Sequence, residues 1–130
     1  MLDKVEYWLE LADDDMATAK WLLQGHRLLH TAYFCHLVAE KTLKAAVANQ
    51  TSKVPPKTHN LGRLADLANL SDKMEDSQHD LLERLTPFQI EGRYPEDKES
   101  LSETLTLNYG KQLLNETEEF LCWIKQELGR

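Results

Sequence analysis

"TAYFCHLVAEKTLKAAVAN", Thr31 to Asn49, decides the fold. Plotted at about 100 degrees per residue, its apolar side chains fall on nearly every side, whereas a surface helix keeps them to one stripe. Such a helix belongs at the centre, with other helices laid around it. The exceptions to its apolar character are ordered. His36, Glu40 and Lys44 recur at i, i+4 and i+8 and, together with Tyr33, share one narrow face. Glu40 and Lys44 also stand in the favourable order for an ion pair, acid toward the N-terminus, and their apolar surroundings imply at least partial burial. Two readings follow. The pair satisfies itself and fixes helix register, or an acid and a cation line a groove with His36 one turn away.

On the N-terminal side, Asp3 to Gln24 places Val5, Trp8, Leu9, Ala12, Met16, Ala19, Leu22 and Leu23 at the 3.6-residue period of an amphipathic helix. Gly25 follows the last periodic residue, the usual place for a left-handed C-cap, and predicts a turn through "GHRLLH". On the C-terminal side, "SKVPPKTHN" breaks the central helix, because paired prolines cannot continue it. Asn60 then suits the N-cap of a short helix, Leu61 to Leu70, and "SDKMEDS" makes a turn. A fourth helix spans about Met74 to Leu85, and Thr86–Pro87 gives a kink or a short extra helix through Arg93. Tyr94 precedes Pro95, so helical geometry is expected to stop there, and "PEDKE" reads as an acidic loop. Ser100 and Glu103 have capping-box spacing, and Leu101, Leu105, Tyr109, Leu113, Phe120, Ile124 and Leu128 line a long last helix.

The expected fold is all-α, an up-and-down bundle of four main helices plus a short helix after the proline linker, with residues 1–130 as one domain. Few helices are available to cover so apolar a central one, so part of the bundle is expected to dock on a copy of itself as a homodimer. No apolar run approaches the roughly 18 to 20 residues of a membrane span. The opening "MLDKVEYWLELADDD" shows no basic leader or apolar core of a secretory signal, and a cytoplasmic location is expected. Cys35 and Cys122 both sit in apolar helical patterns outside any CxxC pair, which predicts buried reduced thiols.

A formal net charge of -7 argues against general affinity for nucleic acid, unless basic groups cluster. Lys41, Lys44, Lys53, Lys57 and Arg63 do fall in an acid-free run from Lys41 to Ala65, while Ser71 to Glu103 carries ten acids against four bases. His26 and His30 have helical i, i+4 spacing, but no HExxH-type sequence or third ligand accompanies them, so neither a metal nor another cofactor is expected. His59, beside Thr58 and Asn60, is placed to cap the next helix or to face a shared groove. Arg93 ends the fourth helix, where a cation meets exposed carbonyls; equally, its guanidinium could meet a phosphate or a carboxylate, with Tyr94 as a stacking face. Phosphate-loop, dinucleotide and serine-hydrolase motifs do not occur in the chain.

Three stretches in order, "AYFCHLVAEKTLKAAV", "KTHNLGRL" and "GRYPED", followed by a long C-terminal helix, resemble the HEPN family of small helical domains over almost the whole chain. The resemblance rests on Ala32, Phe34, Ala39, Glu40, Lys41 and Lys44, on Thr58, His59, Asn60 and Leu61, and on Arg93, Tyr94 and Pro95. It implies a dimerising bundle, often encoded beside a minimal nucleotidyltransferase in a toxin-antitoxin-like pair. Many members are metal-independent ribonucleases whose signature is an arginine followed four to six residues later by a histidine. This chain departs from that signature: Arg93 is followed by "YPEDKES", and its last histidine is His79. The resemblance therefore implies a binding module in which Tyr33, His36, Glu40, Lys44, His59, Arg93 and Tyr94 hold a nucleotide, an RNA or a nucleotidyltransferase partner. The alternative is a ribonuclease with a rearranged site, in which His36 or His59 supplies the imidazole.

Overall fold

The structure, a computed structural model, describes residues 3–90 and 95–130. It is an all-α bundle of α1 (Lys4–Gln24), α2 (Leu28–Thr51), α3 (Leu61–Leu67), α4 (Asp76–Leu85), α5 (Pro95–Thr104) and α6 (Leu107–Glu127), with a 3-10 segment Thr86–Ile90 after α4. The described residues contain no strand. As the apolar pattern of Thr31 to Asn49 requires, α2 is the central helix. It packs chiefly against α1 and α6, and its outer turns meet α3 and the 3-10 segment. Val38, Ala39, Leu43, Ala45 and Val47 are buried within the one chain. Within the one chain, these positions of α2 are covered by α1, α3 and α6.

Local chemistry accounts for most of the boundaries. The Asp3 carboxylate accepts from the Val5 N–H at 2.8 Å to start α1, and Asn60 Oδ1 accepts from the Arg63 N–H at 3.0 Å to start α3. At the end of α1 the left-handed residue is His26, with φ 57, rather than Gly25, whose φ of -85 stays on the ordinary side. His26 N–H donates to Leu23 O and Arg27 N–H to Leu22 O, both at 3.0 Å, so orphan carbonyls of α1 are satisfied in a Schellman arrangement one residue later than the glycine suggests. Histidine is among the residues that tolerate this conformation.

The acidic stretch from Pro95 is a helix, not a loop. Proline suits the first helical position, where its fixed φ is already helical and its missing N–H costs nothing. The long last helix expected from Ser100 is consequently two helices, separated at Leu105 and Thr106. Thr106 Oγ1 accepts from the Tyr109 N–H at 3.1 Å, so the cap lies six residues beyond Ser100. A reciprocal side-chain cap forms elsewhere, at α4, where Gln78 Oε1 accepts from the Glu75 N–H at 2.8 Å.

Of the two thiols, Cys35 is buried between α2 and α6 and Cys122 is exposed, which corrects the expectation that both are hidden. Loss of solvation pushes the Cys35 thiol up to about 12, and the Thr117 hydroxyl beside it acts weakly in the other direction.

Candidate functional site around Glu40

The helical period of α2 stacks His36, Glu40 and Lys44 on one side, and the linker after Pro55 and Pro56 brings His59 back to meet them. Lys44 Nζ donates to Glu40 Oε2 at 3.0 Å, and His59 Nδ1 donates to Glu40 Oε1 at 2.8 Å. Glu40 and Lys44 are both buried, whereas the His59 side chain is 70% exposed. On its other side Lys44 lies over the Trp8 ring of α1, with Nζ 5.3 Å from the ring centre. One carboxylate thus joins the central helix, the linker and, through Lys44 and Trp8, the first helix.

His36 completes the cluster without bonding into it. Its Nδ1 stands 3.8 Å from Glu40 Oε1, and neither ring nitrogen reaches a hydrogen-bond partner among the described residues, although the side chain is 1% exposed. Burial pushes this imidazole below the usual histidine range. Glu40 opposes that shift, the His59 ring adds to it, and the nearby His59 backbone favours the charged form weakly, short of hydrogen-bond geometry.

Of the residues singled out from sequence, the structure brings together His36, Glu40, Lys44 and His59. Tyr33, half-buried one turn before His36, meets Phe34 edge to face at 5.6 Å. Arg93 and Tyr94 lie outside the described residues. His59 does not cap α3, since Asn60 does. The acid-free basic run is also less free than its composition suggests, because Lys41 pairs with Asp15 of α1 and Lys44 with Glu40. Among the described residues no group of three or more His, Cys, Asp or Glu side chains could hold a metal, and no helix is long and apolar enough to cross a membrane.

Chemically, the cluster is closed. Both oxygens of Glu40 are taken, and the Lys44 ammonium is committed between a carboxylate and an aromatic face, so an entering anion would have to displace Glu40 to reach it.

A second cluster escaped the sequence reading. Arg84 of α4 forms a two-bond fork with Glu116 of α6, at 2.8 and 2.9 Å, and its Nε donates to Asp80 at 2.7 Å. These carboxylates, Glu116 first, hold the Arg84 guanidinium well above the usual arginine range. The signal available was the i, i+4 spacing of Asp80 and Arg84; nothing local announces Glu116. Two surface grooves lie near this side of the molecule. One, of about 350 Å³, runs between α3 and α4 past Asp66, His79 and Glu83. The other, of about 370 Å³, is bounded by Arg84, Phe88, Leu101 and Tyr109.

No curated protein and no solved structure matches the sequence. The family model of the HEPN domain matches residues 5–128, which takes in all six helices and the whole Glu40 cluster. With the match running from the first turn of α1 to the end of α6, the chain belongs to the HEPN family.

Proposed function

We propose that this single-domain HEPN protein is a noncatalytic, dimeric binding module of the cytoplasm that engages a nucleotide, an RNA or a minimal nucleotidyltransferase in a toxin-antitoxin-like pair. The observation that carries the reading is the closed state of the Glu40 cluster. An RNA-cleaving site needs an imidazole free to take or give a proton beside a phosphate-binding cation. Here the chain from Arg93 to Arg130 contains no histidine, the His59 Nδ1 is directed at Glu40, and His36 is sealed in the interior. In this reading Glu40, Lys44 and His59 shape the linker, and recognition falls to Tyr33, Arg93 and Tyr94.

Incubating purified protein with end-labelled RNA, beside an Arg93→Ala control, tests the claim. The expected result is intact RNA in both lanes, with co-purification of the protein and any nucleotidyltransferase encoded next to it. Cleavage by the wild type that disappears in Arg93→Ala would overturn the noncatalytic reading. One observation favours that second reading, a ribonuclease with a rearranged site: the His59 ring is exposed enough to meet a substrate at the surface.

A further inference from the structure

We propose that the cleft between the start of α1 and the linker after α2 is a docking site for an acidic peptide segment of a partner protein, anchored by one apolar side chain. This goes beyond the reading above, since it concerns residues which that reading does not use and holds whatever Arg93 binds. The cleft measures about 270 Å³ and is formed by Lys4, Tyr7, Trp8, Val54 and Pro55. Tyr7 is 44% exposed and Val54 72%, two of the four large apolar side chains that the described surface leaves in water. Tyr7 and Trp8 stand edge to face with ring centres 5.4 Å apart, and Pro55 is buried beneath the cleft, so its walls are stiff. Rigid aromatic walls around an apolar slot are the usual anchor of a peptide interface.

Charge selects the occupant. The acids of α1 nearest the cleft are answered elsewhere, since Asp3 and Glu6 both pair with Arg130; further along, Asp13 pairs with Lys125 and Asp15 with Lys41. Around the cleft the balance is reversed. Lys4 meets only a carbonyl, that of Ser52 at 3.4 Å, and Lys53 and Lys57 are exposed on either side of Val54 and the prolines. The chain from Lys41 to Ala65 supplies no acid, and the acid of α1 that follows Glu6 is Glu10, three residues after Tyr7, against the three lysines. In a protein of net charge -7 this is a local cationic rim on an apolar slot. Lys44 is not part of that rim, because Glu40 neutralises it. A nucleobase fits less well than an aliphatic or aromatic side chain. The slot offers almost no polar lining, so the hydrogen-bonding edge of a base would lose its water without replacement.

Selection from a library of displayed random peptides on the intact protein tests this. The expected winners carry Asp or Glu on both sides of a single Leu, Ile or Phe. Their binding should fall about tenfold or more in Val54→Glu and in Lys4→Glu, weaken with added salt, and persist in Trp21→Ala, whose exposed ring lies at the far end of α1. Val54 and Lys4 are exposed, so these variants fold. No enrichment over an unrelated control protein, or winners without acidic bias, would overturn the proposal. So would tighter binding of oligouridylate or oligoadenylate to the same residues by amide chemical shifts. Conversion of a dimer to a monomer by Val54→Glu would reassign the cleft to a second copy of this chain and likewise overturn it.

Discussion

Two acid-base pairs share one helical spacing and order, Glu40–Lys44 on α2 and Asp80–Arg84 on α4, yet they end in different surroundings. Glu40 is buried and draws its second partner, His59, from a linker nineteen residues away in sequence. Arg84 stays at the edge of the bundle and draws its second partner, Glu116, from α6, thirty-two residues away. In the first cluster one acid is shared by several bases; in the second one base is shared by two acids. Burial then decides what each pair is for. A buried carboxylate must be answered at every oxygen, so its partners are fixed by necessity, whereas the Arg84 fork joins two helices whose charges water could also satisfy.

The largest expected effect follows directly. Glu40→Ala strands Lys44 in the interior and removes the tie to the linker, and should destabilise the protein by about 3–5 kcal/mol. That is a large share of the roughly 5–15 kcal/mol a domain has in total. Chemical denaturation would register it, together with little dependence on salt. Replacing both partners, Glu40→Leu with Lys44→Met, should recover much of the loss, because no unpaired charge remains. A double variant as unstable as Glu40→Ala would show that the charges themselves hold the core. Arg84→Ala should cost less, about 1–2 kcal/mol, given the partial exposure of Arg84 and Glu116. Its effect should shrink in high salt, where the exposed Asp80 pair is screened. Equal losses and equal salt dependence in Glu40→Ala and Arg84→Ala would break the contrast.

The pH dependence sharpens the same contrast. Burial lowers the pKa of His36 in the folded protein, so between that lowered value and the ordinary 6.5 the unfolded chain binds the proton and the folded chain does not. The stability associated with a neutral His36 is therefore fully present above about pH 6.5 and is lost as pH falls through the window below it. His36→Leu should flatten the stability profile over that window, while Arg84→Ala should leave its slope unchanged. A wild-type profile level from pH 7 to 5 would mean that Glu40 takes up the buried proton's charge without penalty.

What the sequence made legible was whatever repeats within one helix. The apolar rod of α2 and the alignment of His36, Glu40 and Lys44 follow from a 3.6-residue period, and they stand in the structure as read. The partners that come from a distance did not follow. That His59 bonds Glu40 instead of capping α3 depends on the course of the proline linker, and Glu116 becomes a partner of Arg84 only once α6 lies beside α4. Boundaries failed where one residue type serves two purposes. Pro95 stops a helix from one side and starts one from the other, and the acids behind it suit a loop as well as a first helical turn. The rim around Tyr7 and Val54 was hidden for a related reason, since it joins the first turn of one helix to the loop after another.

The smallest effect decides how the Glu40 cluster is held together. His59→Ala removes one of two partners of Glu40 and should cost about 0.5–1.5 kcal/mol, the usual net worth of a single hydrogen bond. The loss stays small because the exposed His59 ring leaves, once removed, a path by which water can reach Glu40 Oε1, whereas nothing comparable reaches Oε2 behind Lys44 and Trp8. Proteolysis of the linker from Ser52 to His59 should nevertheless rise in this variant, because that bond is the one described side-chain tie between the end of the linker and α2. A stability loss as large as that of Glu40→Ala would place the weight of the cluster on the imidazole, and Lys44 would then be the spectator.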